Sequence, residues 1–289
     1  ADRAGVPCKL FAGNSANCQN YYFDTYGVNE GLAQSKVYCT VQDTQGYIWM
    51  GTASGVARFD GSEFQNYTSD DGMAENGVRV LYIDSYENIW LGHTGGSISR
   101  YRNNRFEVIR FDSLNPEGDI TCIMQDDKKK VWIGTHGNGA VLIENPGEDA
   151  GNLQIKHYSG LNRLSDRVFK IIQLSNDTLY FVIDGGIKYF DPSKNTFGFY
   201  TPKELPKYFQ ITTMFEDKKH NLWFGTYNGG LYYFNKQTQK FRIFDARDGL
   251  SHNWISTITS DRKGNIWVGT WGGGITVINS KLTIFNSEC

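Results

Sequence analysis

Three observations predict an all-β chain, and more specifically a β-propeller of four-stranded antiparallel blades. One hexapeptide recurs at near-constant spacing, the residues between copies parse into short strands, and 32 glycines with only 6 prolines in 289 residues indicate many tight turns. Tyr47-Ile-Trp-Met-Gly-Thr52, Asn88-Ile-Trp-Leu-Gly-His93, Lys130-Val-Trp-Ile-Gly-Thr135, Asn221-Leu-Trp-Phe-Gly-Thr226 and Asn265-Ile-Trp-Val-Gly-Thr270 are five copies. Thr178-Leu-Tyr-Phe-Val-Ile183 is a sixth, degenerate one, with Tyr180 in the Trp place. From Trp49 through Trp90, Trp132, Tyr180 and Trp223 to Trp267 the steps are 41, 42, 48, 43 and 44 residues.

Each period supplies four strands in order. An apolar-rich first strand, such as Val78-Arg-Val-Leu-Tyr-Ile83, runs into an Asp six residues before the Trp (Asp43, Asp84, Asp126, Asp217 and Asp261, with Leu174 in the degenerate copy). The Asp-x-x-Gly-Asn pattern, clearest at Asp261 to Asn265, is hairpin-turn chemistry: the carboxylate accepts backbone N–H groups and Gly takes positive φ. The Trp strand is second. A turn of small residues leads to a third strand such as Leu231-Tyr-Tyr-Phe234, and a fourth carries aromatic or aliphatic residues three apart, as Phe64 with Tyr67. A loop of the type Asp71-Gly-Met73 or Asp248-Gly-Leu250 opens the next period. A lone blade cannot bury both faces, so the Trp residues are expected to form the core between blades.

Ring closure allows two readings. Lys281 to Cys289 aligns with Lys240 to Asp248 as a complete fourth strand, while Phe23-Asp-Thr-Tyr26 followed by Glu30-Gly-Leu32 also reads as a fourth strand with its loop. Either six blades close with the N-terminal strand competing with or flanking the C-terminal one, or the chain is part of a seven-bladed ring. The abrupt end inside a motif favours an origin in a longer chain. The domain division is an extension over 1–20 and a propeller over 21–289.

Composition narrows the function. With 29 basic against 31 acidic residues there is no charge excess for nucleic acid or an anionic membrane. No stretch approaches 18 apolar residues, so no membrane insertion is expected of this chain. Cys8, Cys18, Cys39, Cys122 and Cys289 have no CxxC spacing and the five His are scattered, so no zinc motif can be written. A bridge between Cys8 and Cys18 is sterically easy but open. Asp70-Asp71-Gly72 lacks the further oxygen ligands of a calcium loop. HExxH, GxSxG and P-loop motifs are missing, and Gly134-Thr-His-Gly-Asn-Gly139 joins two strands rather than opening a helix, so no catalytic residue and no cofactor is assigned.

The order aromatic-x-x-Tyr, Asp-Gly-Leu/Met, apolar strand ending in Asp, Gly-Asn-Ile-Trp-x-Gly-Thr and Gly-rich turn resembles the two-component regulator propeller repeat. Phe23-Asp-Thr-Tyr26 to Phe59-Asp60-Gly61 resembles the first repeat of the periplasmic sensor regions of hybrid two-component histidine kinases. The likeness covers 21–289; the copy around Tyr180 departs from it, lacking Trp, Gly-Thr and the turn Asp. It implies a periplasmic, non-enzymatic sensor, often of polysaccharide breakdown products, upstream of a membrane span, a kinase and a transcriptional output. It leaves room for a homodimer formed through the parent protein. Two rivals stand beside it: an assembly propeller of the cell envelope that binds protein, and a streptogramin-lyase-like enzyme, which would need a His base and acidic metal ligands near the axis.

In an up-and-down blade the loops after the second and fourth strands emerge on one face. That face carries His93, His136, Asn138, Tyr227, Asn228 and Trp271 from the Gly-rich turns, and Arg163, His252, Asn253 and Trp254 from the inter-blade loops. Rings stack on the apolar faces of sugars while amides and Arg bond hydroxyls or acidic groups, so this set is expected to bind an oligosaccharide or related small polar ligand. Trp271 and Trp254 stand out because a large aromatic among glycines has little local core to fill. The opposite face is expected to offer mainly solvated turns.

Overall fold

The computed structural model describes residues 6–11, 20–110, 118–159, 167–201 and 210–288, those of 6–11, 20–23 and 285–288 by their backbone alone. Six blades of four antiparallel strands stand in a ring, a β-propeller. Blade one is Val37–Gln42, Ile48–Thr52, Gly55–Phe59 and Phe64–Tyr67; blade two is Val78–Ile83, Ile89–His93, Ile98–Arg102 and Arg105–Ile109. Blade three is Ile120–Gln125, Val131–Thr135, Ala140–Ile143 and Ile155–Tyr158; blade four is Val168–Gln173, Leu179–Ile183, Gly186–Asp191 and Thr196–Tyr200. Blade five is Ile211–Glu216, Leu222–Thr226, Leu231–Asn235 and Lys240–Phe244; blade six is Ile255–Ser260, Ile266–Thr270, Gly274–Ile278 and Ile284–Glu288. The only helical pieces among the described residues are single 3-10 turns, as at Ser69–Asp71 and Ala246–Asp248.

The repeat residues have separable jobs. Each Trp indole donates to the Asp six residues before it: Trp49 to Asp43 at 2.8 Å, Trp90 to Asp84 at 2.7 Å, Trp132 to Asp126 at 2.9 Å, Trp223 to Asp217 at 3.0 Å and Trp267 to Asp261 at 3.3 Å. The other carboxylate oxygen accepts the backbone N–H four residues on, as from Tyr47, Asn88 and Asn221. One Asp thus closes the hairpin and satisfies the one polar atom of a buried Trp. Blade four replaces both partners together, with Leu174 buried where the Asp would be and Tyr180 in place of the Trp.

The Gly-Thr pair closes the next turn. Thr135 donates its hydroxyl to the Gly139 carbonyl at 3.0 Å and Thr226 to Gly230 at 2.8 Å. In the Asp-Gly-Leu loops the carboxylate caps a 3-10 turn, Asp71 accepting from the Thr68 backbone at 2.8 Å and Asp248 from Asp245 at 3.0 Å. The apolar residue that follows, Met73 or Leu250, is buried.

Two expectations need correction. The hairpin residue with positive φ is Gly only at Gly46 and Gly264; in blades two to five it is Glu87, Lys129, Asp177 and His220, at φ of 60 to 63°. The ladder on both sides, with the Asp carboxylate in blades two, three and five, holds these residues there against an intrinsic preference of order 1 kcal/mol. Second, the N-terminal strand is Asn20–Phe23 rather than Phe23 to Tyr26. It pairs with Val6–Phe11, which in turn pairs with Ile284–Glu288, so a hairpin flanks the outer edge of blade six. That hairpin crosses the division drawn at residue 20. The Cys8 to Cys18 question lies outside the described residues.

The core is a series of inter-blade clusters. Trp49 packs with Val78, Leu81, Ile89 and Leu91 of blade two, and Trp223 with Ile255, Ile258, Ile266 and Val268 of blade six. Each side chain buried between blades contributes roughly 1.5 to 3 kcal/mol. Blade two adds a buried ion pair: Arg100, fully buried, donates to Glu107 at 2.6 Å and to the Pro146 carbonyl of blade three at 2.7 Å. Burial opposes ionisation of Glu107, but the bonds from Arg100 and Arg105 outweigh it and hold the carboxyl below its usual range.

Candidate ligand face

Among the described residues, the expected loop face carries an aromatic cluster at blades five and six. The Trp254 and Trp271 rings stack with centroids 4.9 Å apart and planes at 20°, and Tyr227 meets Trp254 edge-on at 4.5 Å. Trp271 is 61% exposed and Tyr227 47%, so the cluster is a shelf rather than a core. The backbone fixes it. Trp271 N–H donates to the Trp254 carbonyl at 2.9 Å, and Gly230 N–H to the Asn253 carbonyl at 2.9 Å. The Trp254 N–H donates to His252 Nδ1 at 3.0 Å, and Asn253 Oδ1 accepts from Ala246 N–H at 2.8 Å. Asn228 is exposed beside Tyr227 in the left-handed region, φ 68°. Six of the expected residues, Tyr227, Asn228, His252, Asn253, Trp254 and Trp271, therefore share one sector.

Three others lie elsewhere. His136 is exposed and Asn138 half-buried, both on blade three, where the His157 ring bonds the Asn138 carbonyl at 2.6 Å. Arg163 lies outside the described residues. His93 is a correction to the expected surface set, because it is buried inside blade two. Its Nδ1 faces the Gly77 carbonyl at 3.2 Å and its Nε2 the Ser99 hydroxyl at 2.8 Å. A carbonyl only accepts, so Nδ1 carries the proton and Ser99 donates to Nε2. His93 stands where blades one, three, five and six have Thr, but its ring reaches past the turn to the Gly77 carbonyl and to Ser99 of the third strand. Burial pushes its imidazole below the usual range.

The opposite face is less bare than expected. A cavity of about 450 Å³ opens between blades one and two, lined among others by Asp43, Trp49, Arg58, Tyr86 and Tyr101. A smaller one of about 170 Å³ lies between blades three and four, where Glu144 is held by Lys130 at 2.7 Å and Lys156 at 3.0 Å. Both open where hairpin turns of adjacent blades diverge, which no local sequence signal marks.

Burial pushes the Cys39 thiol up to about 12 and raises that of Cys122, so neither is a thiolate at neutral pH. Among the described residues no three His, Cys, Asp or Glu are grouped to hold a metal ion. No described helix is long and apolar enough to cross a membrane.

Blade geometry and repeat chemistry define a β-propeller, with an exposed aromatic shelf on its loop face. The model of the two-component regulator propeller family matches residues 31–54, 114–137, 205–228 and 249–272, each match ending just past a Trp strand. Histidine kinase P4 of Formosa agariphila is 28% identical over 181 residues, 56% of this chain and 13% of the kinase. The extracellular domain of a hybrid two-component system from B. thetaiotaomicron shares the fold at TM-score 0.64 and 22% identity, covering 89% of this chain and 42% of that one. PorZ, a surface component of the type-IX secretion system of Porphyromonas gingivalis, gives TM-score 0.66 at 16% identity over 86% of this chain and 39% of that one. Virginiamycin B lyase of Staphylococcus aureus gives 0.68 at 15% over 87% and 83%. The chain thus spans less than half of its two-component and secretion relatives. All three structural likenesses, at 15 to 22% identity, are likenesses of fold.

Proposed function

We infer that this propeller is the extracytoplasmic, periplasmic ligand-sensing module of a two-component signalling protein, and that it binds a carbohydrate without transforming it. The Trp254–Trp271 stack, exposed and edged by Tyr227, carries the reading. A sugar presents C–H groups on its ring face and hydroxyls around its rim. The open face of Trp271 suits the first, while Asn228, His252 and Asn253 offer donors and acceptors to the second. The repeat supports the signalling context, because proteins similar to this chain are a histidine kinase and a hybrid two-component system.

Calorimetry against a panel of neutral and acidic oligosaccharides tests the reading. At least one should bind, and Trp271→Ala should weaken it by roughly tenfold or more, the range expected on losing an aromatic anchor of a small site. Release of a cleaved product would favour the lyase-type alternative. Indifference to the whole panel, with capture of an envelope protein lost in Trp271→Ala, would favour the assembly alternative.

A further inference from the structure

Two departures from the repeat meet in one cavity. Opposite the buried aromatic of the second strand, the third strand carries Arg in blades one and two, where Trp49 pairs with Arg58 and Trp90 with Arg100. The other four blades have Leu142, Tyr189, Tyr233 and Val277 at that place. In blade two the charge is met within the blade. Its fourth strand sets Glu107 opposite Arg100, which is fully buried and bonded to that carboxylate at 2.6 Å. In blade one the residue opposite Arg58 is Gln65, an exposed amide. Among the described residues no carboxylate pairs with Arg58 and no group accepts a hydrogen bond from it. Rings hold the guanidinium instead, 4.2 Å from the centre of Tyr47 and 5.7 Å from that of Trp49. Stacking engages the face of a guanidinium and leaves the N–H donors on its edge for a planar anion.

The second departure is Asn88. In blade five its counterpart Asn221 donates to Asp217 at 3.1 Å, and its Oδ1 accepts the Lys236 backbone N–H at 3.3 Å. Asn88 is 1% exposed, and its Nδ2 donates to Asp84 at 2.8 Å and to the Pro146 carbonyl at 3.3 Å. Both partners only accept, so the amide cannot be turned over, and no protein group donates to its Oδ1. An oxygen buried in this way selects for a donor.

Arg58 and Asn88 line the same cavity, the one of about 450 Å³ between blades one and two, a volume that suits a small ligand. Tyr86 and Tyr101 give it aromatic walls. Two carboxylates also line it. Asp43 is committed to the fold, accepting the Trp49 indole and the Tyr47 N–H, and Glu87 is exposed, where water and salt screen it.

We propose that this cavity binds a small hydroxylated carboxylate, the class of sugar acids and short hydroxy acids. The carboxylate lies against the edge of Arg58, as Glu107 lies against Arg100 in blade two, and a hydroxyl donates to Asn88 Oδ1. An amine would meet the guanidinium with like charge, and a carboxylate without a hydroxyl would leave Asn88 without its donor. The cavity is on the face opposite the Trp254–Trp271 shelf and does not depend on what the shelf binds.

Calorimetry of the 289-residue chain with gluconate, lactate, glucose and acetate tests this. Gluconate or lactate should bind at least about tenfold tighter than glucose, which lacks the carboxylate, and than acetate, which lacks the hydroxyl. Tighter binding of gluconate assigns the cavity to a sugar acid and tighter binding of lactate to a short hydroxy acid; either supports the proposal. Gln65→Glu gives Arg58 the internal carboxylate that blade two has, and Arg58→Met keeps the length of the side chain without its donors. Each should weaken binding by about tenfold or more while moving the melting temperature by less than about 3 °C, and Trp271→Ala should leave binding unchanged. No heat with gluconate or lactate at about 10 mM would overturn the proposal, as would glucose or acetate matching the better acid. Full affinity in Gln65→Glu and Arg58→Met would do the same. Loss in Trp271→Ala alone would move the binding to the shelf and overturn it too.

Discussion

Trp223 and Trp267 belong to nearly the same sequence, Asn-Leu-Trp-Phe-Gly-Thr and Asn-Ile-Trp-Val-Gly-Thr, and each bonds an Asp six residues before it. Yet Trp223 is 1% exposed against blade six and Trp267 is half-buried. Local sequence makes the strand, the hairpin and the indole bond. Burial comes from the neighbour, and a repeat cannot report how closely its neighbour packs. The same motif therefore carries different energies at its two ends.

The largest effect separates the pair. Trp223→Ala should cost about 3 to 5 kcal/mol, as a large buried aromatic does, and Trp132→Ala should match it. Trp267→Ala should cost roughly half of that or less, because much of its surface is already wet. Denaturant melts of the three variants make the comparison, and equal losses for Trp223 and Trp267 would break it.

Blade four sharpens it from inside the ring. Leu174→Asp alone buries a carboxylate with no indole to bond, and should cost about 2 to 4 kcal/mol. Adding Tyr180→Trp supplies the donor, so the double variant should recover at least about 1 kcal/mol of that loss in a double-mutant cycle. An additive cycle would show that the bond to Asp contributes little in the other five blades.

His93 gives a smaller, pH-dependent effect. Its folded pKa is depressed by burial, so the unfolded chain binds more protons wherever the two differ. Its stabilisation is present in full above the unfolded value near 6.5 and lost as pH falls below it, with a slope of at most about 1.4 kcal/mol per pH unit. Glu107, depressed by Arg100 and Arg105, adds a second loss that begins only nearer pH 4.5. Melts from pH 7.5 to 5.5 read the first alone. His93→Thr, which restores the residue of blades one, three, five and six, should fold and flatten that slope; an unchanged slope would move the effect to another group.

Smallest of all should be Trp271→Ala, within about 0.5 kcal/mol of the parent, since the ring stacks on Trp254 but lies mostly in solvent. A large loss of stability there would make the shelf part of the fold rather than a surface for a ligand.

Spacing alone determined six repeats, their four strands, the Trp residues as core between blades and the face on which the Gly-rich turns emerge, because each depends on residues within one period and a fixed geometry of sheet; how the ring closes stayed open between two readings. Even the Asp to Trp bond was implicit in a constant separation of six, although it was legible only as turn chemistry. The tertiary structure decided what depends on residues far apart in sequence. It gathered Tyr227, Trp254 and Trp271 into one shelf, because successive blades bring a Gly-rich turn and an inter-blade loop side by side. It buried His93, an outcome that turned on Ser99 and Gly77 lying within reach of both ring nitrogens. It opened a cavity between blades one and two where hairpins diverge. And it left Trp267 half-buried where Trp223 is fully buried, because burial is a property of a pair of surfaces, whereas a sequence motif specifies only one of them.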